Sequence, residues 1–520
     1  DSVGNLKTLT YPDGKAVDYE YDLNNNLIKV TDWAGRVTSY EYDCNNRVIK
    51  TTKPDGSITT NVYDGKQRLV SSIETTATGT VISGFEYAFD VMGRLSYEKN
   101  VAKQIEVWYT YDVLSRVIQR KTVKLSDNSE VIETYSYNSA GNLCTACGNE
   151  SFRYDGSNKL TEFNGKPVTY DADGNMLEAS IGKFTYDSAN RLTVAGTRYY
   201  AYDVEGTRIK TQKGEDTTEF VYNVNARLSQ LLIKTENNAD TKYVYGLGLI
   251  GEEVSGNFKT YHFDYRGSTV AITNANGTVT DTFEYDTYGK LKSRTGTTKT
   301  PFLYNGRDGV ITEDDTGLYY MRARYYSPML RRFINADKVH GDISNALTLN
   351  RYAFVNGNPA SNVDPLGLSA DNARGQINYN GVYVPSPSIR FDDEDYFGLR
   401  EFDHRDDIIN YYAMLAEHKK RGTTNPANLP KHEKGQARKK KDNKGEKGDA
   451  RREDRSNKNK NKNKNKNKSK HFNAEDVLNG VIITAEVVII AYLLLNDLSG
   501  AGTADDFMIP CFYADMLARI

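Results

Sequence analysis

Tyr-Asp pairs recur 21 residues apart at Tyr21-Asp22, Tyr42-Asp43 and Tyr63-Asp64. They return 16 apart at Tyr170-Asp171, Tyr186-Asp187 and Tyr202-Asp203. A fixed period of this size restricts the chain to an architecture that stacks one small unit many times. Each unit reads as aromatic alternation, then Tyr-Asp, two variable residues, Gly or Asn, a basic or polar residue and an aliphatic one. YDLNNNLIKV, YDCNNRVIKT, FDVMGRLSYE, YDADGNMLEA and YDVEGTRIKT are examples. Alternation describes a strand with one buried face. The Asp bonds to backbone two residues on, and the Gly or Asn supplies the left-handed residue that reverses the chain. The unit is therefore a β-hairpin, in which the aspartates are turn residues rather than metal ligands or catalysts. The tyrosines are expected to pack on neighbouring repeats; the functional alternative is stacking on carbohydrate.

A lone hairpin cannot bury its apolar face, so successive hairpins must join side by side. A sheet of that many strands twists and curls, and an open one leaves edges that invite aggregation. A spiral or closed shell resolves both problems. Abundant tyrosine (38) and glycine (41) with little proline (12) suit many short strands joined by glycine turns. The fold class is all-β, a spiral β-hairpin repeat shell, with a separate, partly α-helical and partly disordered C-terminal domain. About a dozen hairpins are expected, running to residue 300 or so, past Tyr285-Asp286 and TYGKL.

From 317 to 368 the pattern changes to TGLYYMRARYYSPMLRRFINAD, a spacer, and NRYAFVNGNPASNVDPLGL. Beyond it the composition shifts abruptly. Residues 431–470 hold 18 Lys and Arg against 6 Asp and Glu, an excess of 12. With an overall charge of −2, the rest of the 520 residues carries −14. The body is acidic and the tail carries a basic block. Four cysteines cannot staple so long a chain, and the lone pair Cys144 and Cys147 reads as a hairpin coincidence rather than a metal site. No metal or cofactor is expected. Asp1 stands in mid-pattern, so the chain is expected to be the C-terminal portion of something longer.

The Tyr-Asp repeats followed by TGLYYMRARYYSPMLRRFINAD, NRYAFVNGNP and DPLGL resemble the RHS repeat-associated core proteins. These are bacterial Rhs polymorphic toxins, similar to the C component of Tc toxins and more distantly to teneurins. The resemblance covers residues 1–368. It implies a hollow β-shell (1–300) closed by a core (301–368) that cuts its own chain after the Leu of DPLGL, here between Leu368 and Ser369. It further implies that a C-terminal effector is released inside the shell, with a cognate immunity protein and a secretion or delivery machinery as partners. The implied location is secreted or attached to a bacterial cell envelope, in interbacterial competition.

Self-cleavage in the family is attributed to aspartyl-protease-like carboxylates, in which one acid activates water while the other supplies a proton. The candidates are Asp308, Asp314, Asp315, Asp337 and Asp364, with Arg307 to hold a carboxylate ionised or orient a carbonyl. The family often carries Arg-Asp just before TGLYY. Here Glu313-Asp314-Asp315 fills that register, and Arg307-Asp308 lies upstream. Asp314 therefore matches by position and Asp308 by local chemistry. Arg322, Arg324, Arg331 and Arg332 are expected to tie the core to the acidic shell rather than to bind nucleic acid.

After the cleavage motif, residues 369–430 open a variable effector domain. In it 404–420 is an amphipathic helix with Ile408, Ile409, Tyr412, Leu415 and Ala416 on one face. The block 431–470 ends in an Asn-Lys alternation that cannot form a core. Its His432 and Glu433 are the effector candidates for acid–base work on a phosphodiester, against the plainer reading of a solvated basic linker. In 471–520, the stretch 477–495 would reach roughly 28 Å as a helix, close to a bilayer core. Glu486 within it would be costly in lipid unless it faced a pore or partner, and a buried helix is the alternative. Two functions follow. One is a toxin whose shell encloses a nuclease or membrane-active effector. The other is a wall-associated adhesion or binding protein that uses the shell as a scaffold.

Overall fold

The structure is a computed structural model that describes residues 1–226, 228–341, 345–368 and 370–372. All of these belong to one compact unit within Asp1–Ile408. Ser369, the stretch 404–420, His432 and Glu433 with the basic block, and 477–495 lie outside the described residues.

Alternation sets the strands. In Ala16–Tyr21 the side chains of Val17 and Tyr19 are buried while Asp18 and Glu20 face outward, and Val37–Tyr42 repeats the pattern with Thr38 and Tyr40 inside. The described residues carry a first sheet of 16 antiparallel strands, Thr8–Thr10 to Lys166–Pro167. A second, of 14, runs from Thr169–Tyr170 to Leu291–Thr295. Every strand bonds to its neighbours in sequence. The ladder is interrupted once, at Pro167, which has no N–H to donate. The expected single sheet is thus two.

The Tyr-Asp turns follow the anticipated chemistry and add a second layer to it. Asp112 accepts the backbone N–H groups of Leu114 (3.0 Å) and Arg116 (2.8 Å) on one oxygen and the Arg116 side chain on the other (2.6 Å). Ser115 takes the left-handed conformation at φ 65°. Arg116 then reaches the next repeat, donating to the Asn138 carbonyl (3.1 Å) and lying 4.6 Å over the Tyr137 ring. Tyr137 in turn donates to the Val117 carbonyl at 2.9 Å. Arg47, Arg94 and Arg191 make the same bridge. Tyr63, Tyr111, Tyr137 and Tyr202 are therefore latches between repeats. The aromatic two positions earlier, such as Tyr109 or Tyr135, fills the core. Asp112→Ala is expected to cost about 2 kcal/mol, because two backbone donors and one guanidinium lose a charged acceptor together. Chemical denaturation checks this, and a change within experimental error would refute the turn role.

The second sheet lies back along the first. The Tyr11 hydroxyl donates to the Tyr243 carbonyl at 2.5 Å, and Lys15 and Arg36 pair with Glu253. Further on, Glu74 meets His262 at 2.9 Å, Glu98 meets Arg266 and Tyr135 meets Thr287. Partner numbers rise together on both sides, as they must when a strip is wound into successive turns of a coil. Glu74 illustrates how charge survives at this seam. Burial alone would raise its pKa, but Lys53 and His262 beside it hold it well below the usual carboxylate range.

Residues past 300 add a four-stranded sheet, Ile311–Thr312, Tyr319–Met321, Arg324–Ser327 and Arg332–Phe333. It packs around Tyr304, Tyr319, Tyr326, Phe333 and Phe354, with Tyr326 and Phe354 rings 4.1 Å apart. This core docks on the rim formed by the Tyr-Asp turns. Its side chains bond turn backbone at Leu95, Asn158, Gly174, Tyr288 and Gly289 in succession. Carbonyls left open by the hairpins accept in four of these contacts, and at Leu95 the backbone N–H donates to Ser361 Oγ, so the repeat itself builds the docking surface.

Candidate functional site

The DPLGL segment is gripped by the hairpin that joins Tyr319–Met321 to Arg324–Ser327. Three consecutive residues hold three consecutive carbonyls. Arg322 donates to Pro365 O at 2.6 Å, the Ala323 N–H to Leu366 O at 3.2 Å, and the Arg324 side chain to Gly367 O. The match needs a close approach that only glycine permits. Gly367 sits at φ +70°, and a Cβ there would lie 2.5 Å from the Met321 carbonyl oxygen. Just past the motif, Asn362–Val363 pairs antiparallel with Asp371–Asn372. Leu368 therefore lies between the two strands of this small hairpin.

Two of the candidate aspartates converge here. Arg324 Nη2 lies 2.7 Å from Asp337 Oδ2 and 3.5 Å from Asp364 Oδ2, while its Nη1 donates to the Arg351 carbonyl at 2.8 Å. The guanidinium is stacked 3.6 Å from the centre of the Phe333 ring, and its side chain is only 3% exposed. Asp364 accepts the Leu368 N–H at 3.0 Å. Burial raises the Asp337 pKa, and the nearby Arg324 only partly offsets it. Burial also lowers the pKa of Arg324, more than its two acidic neighbours raise it.

The other candidates are elsewhere. Arg307 and Asp308 form a two-bond pair, at 3.0 Å each, on the 3-10 turn Gly306–Asp308. Arg307 sits against Gly248 and Gly267 of the array, where a Cβ would crowd it. Asp308 approaches the DPLGL segment only through its backbone carbonyl, which accepts from Arg322 at 2.9 Å. Asp314 is exposed. Its neighbour Asp315 binds Arg198 of the array at 2.9 Å. Glu313, which stands where an arginine is expected, pairs with the fully buried Arg208. Glu313 thus ties this register of the core to the repeat array.

The arginines divide. Arg331 reaches Glu150 and Arg332 the Asn158 carbonyl, as ties to the array. Arg322 does the same while holding the DPLGL segment. Arg324 is not a tie: it stays inside the core as the pivot of the two aspartates. The Arg-x-Arg spacing across a two-residue turn was a visible signal for this pair, but nothing local distinguishes their partners. Among the described residues no three His, Cys, Asp or Glu side chains gather as a metal site, and no helix is long and apolar enough to cross a membrane.

A wound hairpin array with a core seated on its turn rim defines a YD-repeat β-shell. The family description "Teneurin YD-shell" matches residues 55–360 and "RHS Repeat" matches 1–37 and 24–58. The chain belongs to the YD-shell family. Among curated proteins it is 29% identical over 266 residues to the tRNA3(Ser)-specific nuclease WapA of Bacillus spizizenii, covering 50% of this chain and 11% of that protein. It is 28% identical over 131 residues to the double-stranded DNA deaminase toxin A of Burkholderia cenocepacia, covering 24% and 9%. The chain thus spans about a tenth of the length of these relatives. Among solved structures it matches the Tc holotoxin pore of Photorhabdus luminescens with a point mutation in TccC3, at TM-score 0.59 and 19% identity, over 74% of this chain and 22% of that one. The TcdB2-TccC3-TEV crystal structure matches at TM-score 0.58 and 19% identity, over 71% and 21%. These likenesses bear on the fold.

Proposed function

We propose that this chain is the shell-and-core part of a polymorphic toxin that cuts itself between Leu368 and Ser369 and frees a C-terminal effector. The observation that supports it is the meeting of Asp337 and Asp364 on one guanidinium beside the clamped DPLGL segment. Two carboxyl groups of unlike environment suit acid and base roles at one bond. Asp364, bonded to the Leu368 N–H, takes a proton from water as the water oxygen adds to the Leu368 carbonyl carbon. Asp337, whose pKa burial raises, gives its proton to the departing Ser369 nitrogen. The C–N bond breaks, leaving a carboxyl group on Leu368 and an amine on Ser369. Arg324 orients both acids and, through Gly367 O, the strand being cut.

Intact mass of the purified 58.5 kDa chain tests this. Two fragments divided at Leu368–Ser369 are expected from the native chain, one uncut chain from Asp364→Asn, and normal cutting from Asp314→Asn. A native chain that stays whole would sink self-cleavage and return the protein to the reading of a binding scaffold.

For the effector, the relatives named as a tRNA nuclease and a DNA deaminase favour nucleic acid as its target, with His432 and Glu433 as the residues to test. Expression of residues 369–520 in bacteria should degrade or modify nucleic acid with membrane potential intact. Collapse of the potential alone would assign the effector to the membrane, and harmless expression would refute both.

A further inference from the structure

Arg322 occupies a position that neither the family pattern nor the proposed chemistry accounts for. Its backbone is left-handed, at φ 56°, on the turn between Tyr319–Met321 and Arg324–Ser327. Its guanidinium joins three separate parts of the chain. Nε donates to Ser229 Oγ at 3.1 Å and Nη2 to Ser229 O at 2.8 Å, in the segment that leads into the array strand Gln230–Glu236. Nη2 also donates to Asp308 O at 2.9 Å, and Nη1 to Pro365 O at 2.6 Å. Gly309 leaves the room: a Cβ there would come within 2.6 Å of Nη2.

We infer that Arg322 is a positioning residue that makes cutting after Leu368 conditional on docking of the array at Ser229. The inference rests on the self-cleavage reading and adds its regulation. The grip on Pro365 is the first of the three carbonyl contacts that set the path of the DPLGL segment, and it is made by a side chain whose other acceptors include the array. Before Ser229 arrives, the guanidinium lacks two of its four acceptors and has no fixed orientation. The Pro365 carbonyl is then free to swing, and the bond beyond Gly367 is not presented to Asp337 and Asp364. Once the array has wound far enough to seat Ser229, the fork is fixed at both ends. A cut made then comes after the array between Ser229 and the core has formed, so the effector is not freed from a half-built shell.

The test follows appearance of the cut fragment with time in full-length chains made by cell-free synthesis, alongside thermal unfolding of the products. Arg322→Gln is expected to slow cutting by about 100-fold, the scale on which a misplaced reacting group loses rate. Arg322→Lys should restore part of it. Ser229→Ala, which removes one acceptor of Arg322 and touches neither the DPLGL segment nor the aspartates, should slow cutting several-fold with the unfolding temperature unchanged. A structural strut would move stability without the rate. Wild-type rates in Arg322→Gln and Ser229→Ala overturn the inference. If Arg322→Gln loses its cooperative unfolding transition, Ser229→Ala decides alone. A wild-type chain that never cuts sinks the self-cleavage reading instead, and is told apart by that control.

Discussion

Arg208→Met is expected to lower the stability of the shell by about 3–5 kcal/mol, the scale for stripping one partner from a buried ion pair. Arg208 is completely buried and faces Glu313, whose side chain is 5% exposed. Around it stand Tyr320 at 4.3 Å, Phe220 at 4.9 Å and Tyr200 at 5.6 Å from the guanidinium carbon to the ring centre. With Met in place of the guanidinium, Glu313 loses its closest cation inside an aromatic surround, with Arg198 3.8 Å away as its remaining charge. Glu313→Gln should cost less, because a neutral amide can still accept from Arg208. The double variant should be no worse than Arg208→Met alone, since the stranded charge is gone. Denaturant midpoints of the three variants decide it. Additive losses would show that the two side chains act independently. Because the pair joins the array to the core, the loss should also appear as earlier proteolysis of the segment carrying TGLYY.

The second large effect is expected at Asp337. Asp337→Asn should leave the chain uncut, with a rate reduction beyond the reach of a day's incubation, while the protein stays folded. The sign of the pH dependence separates lost chemistry from lost structure. The Asp337 carboxyl has its pKa raised by burial, so the folded state favours its protonated form. Below the ordinary carboxyl pKa of about 3.9 folded and unfolded chains both hold the proton and no penalty arises. As pH rises from there through the raised folded value, the wild type pays for an ionised buried carboxylate and the Asn variant does not. Asp337→Asn should therefore gain stability relative to wild type across that window and hold the gain above it. In the wild type, cutting should fall as pH rises through the same folded value, because the proton donor is being lost. Thermal melts in a pH series, read beside the fragment yield, check both. A variant that melts earlier than wild type at neutral pH would assign the lost cutting to unfolding.

Much of this molecule was readable from its residues. The period of the Tyr-Asp pairs, the alternation before them and the left-handed residue after them specify a hairpin by short-range sterics and hydrogen bonding. Stacking then follows because one hairpin cannot bury its own face. The family resemblance, rather than this local logic, marks the DPLGL motif and supplies a set of aspartates. It could not rank them. Asp314 matched by position and Asp308 by its neighbouring arginine, yet Asp314 is exposed and Asp308 spends its side chain on Arg307. Asp337 and Asp364 meet through Arg324, a residue that the sequence alone suggests as a tie between core and shell.

The periodic part of the protein was determined by the sequence alone, because a repeat states the same local rule many times and contacts between neighbours inherit it. Only the tertiary structure decided which charges share a site. Arg324 with Asp337, Arg208 with Glu313 and Arg322 with Ser229 are separated by 13, 105 and 93 residues respectively. Their pairing depends on how the wound array places its turn rim under the core, a geometry that no residue's immediate neighbours encode.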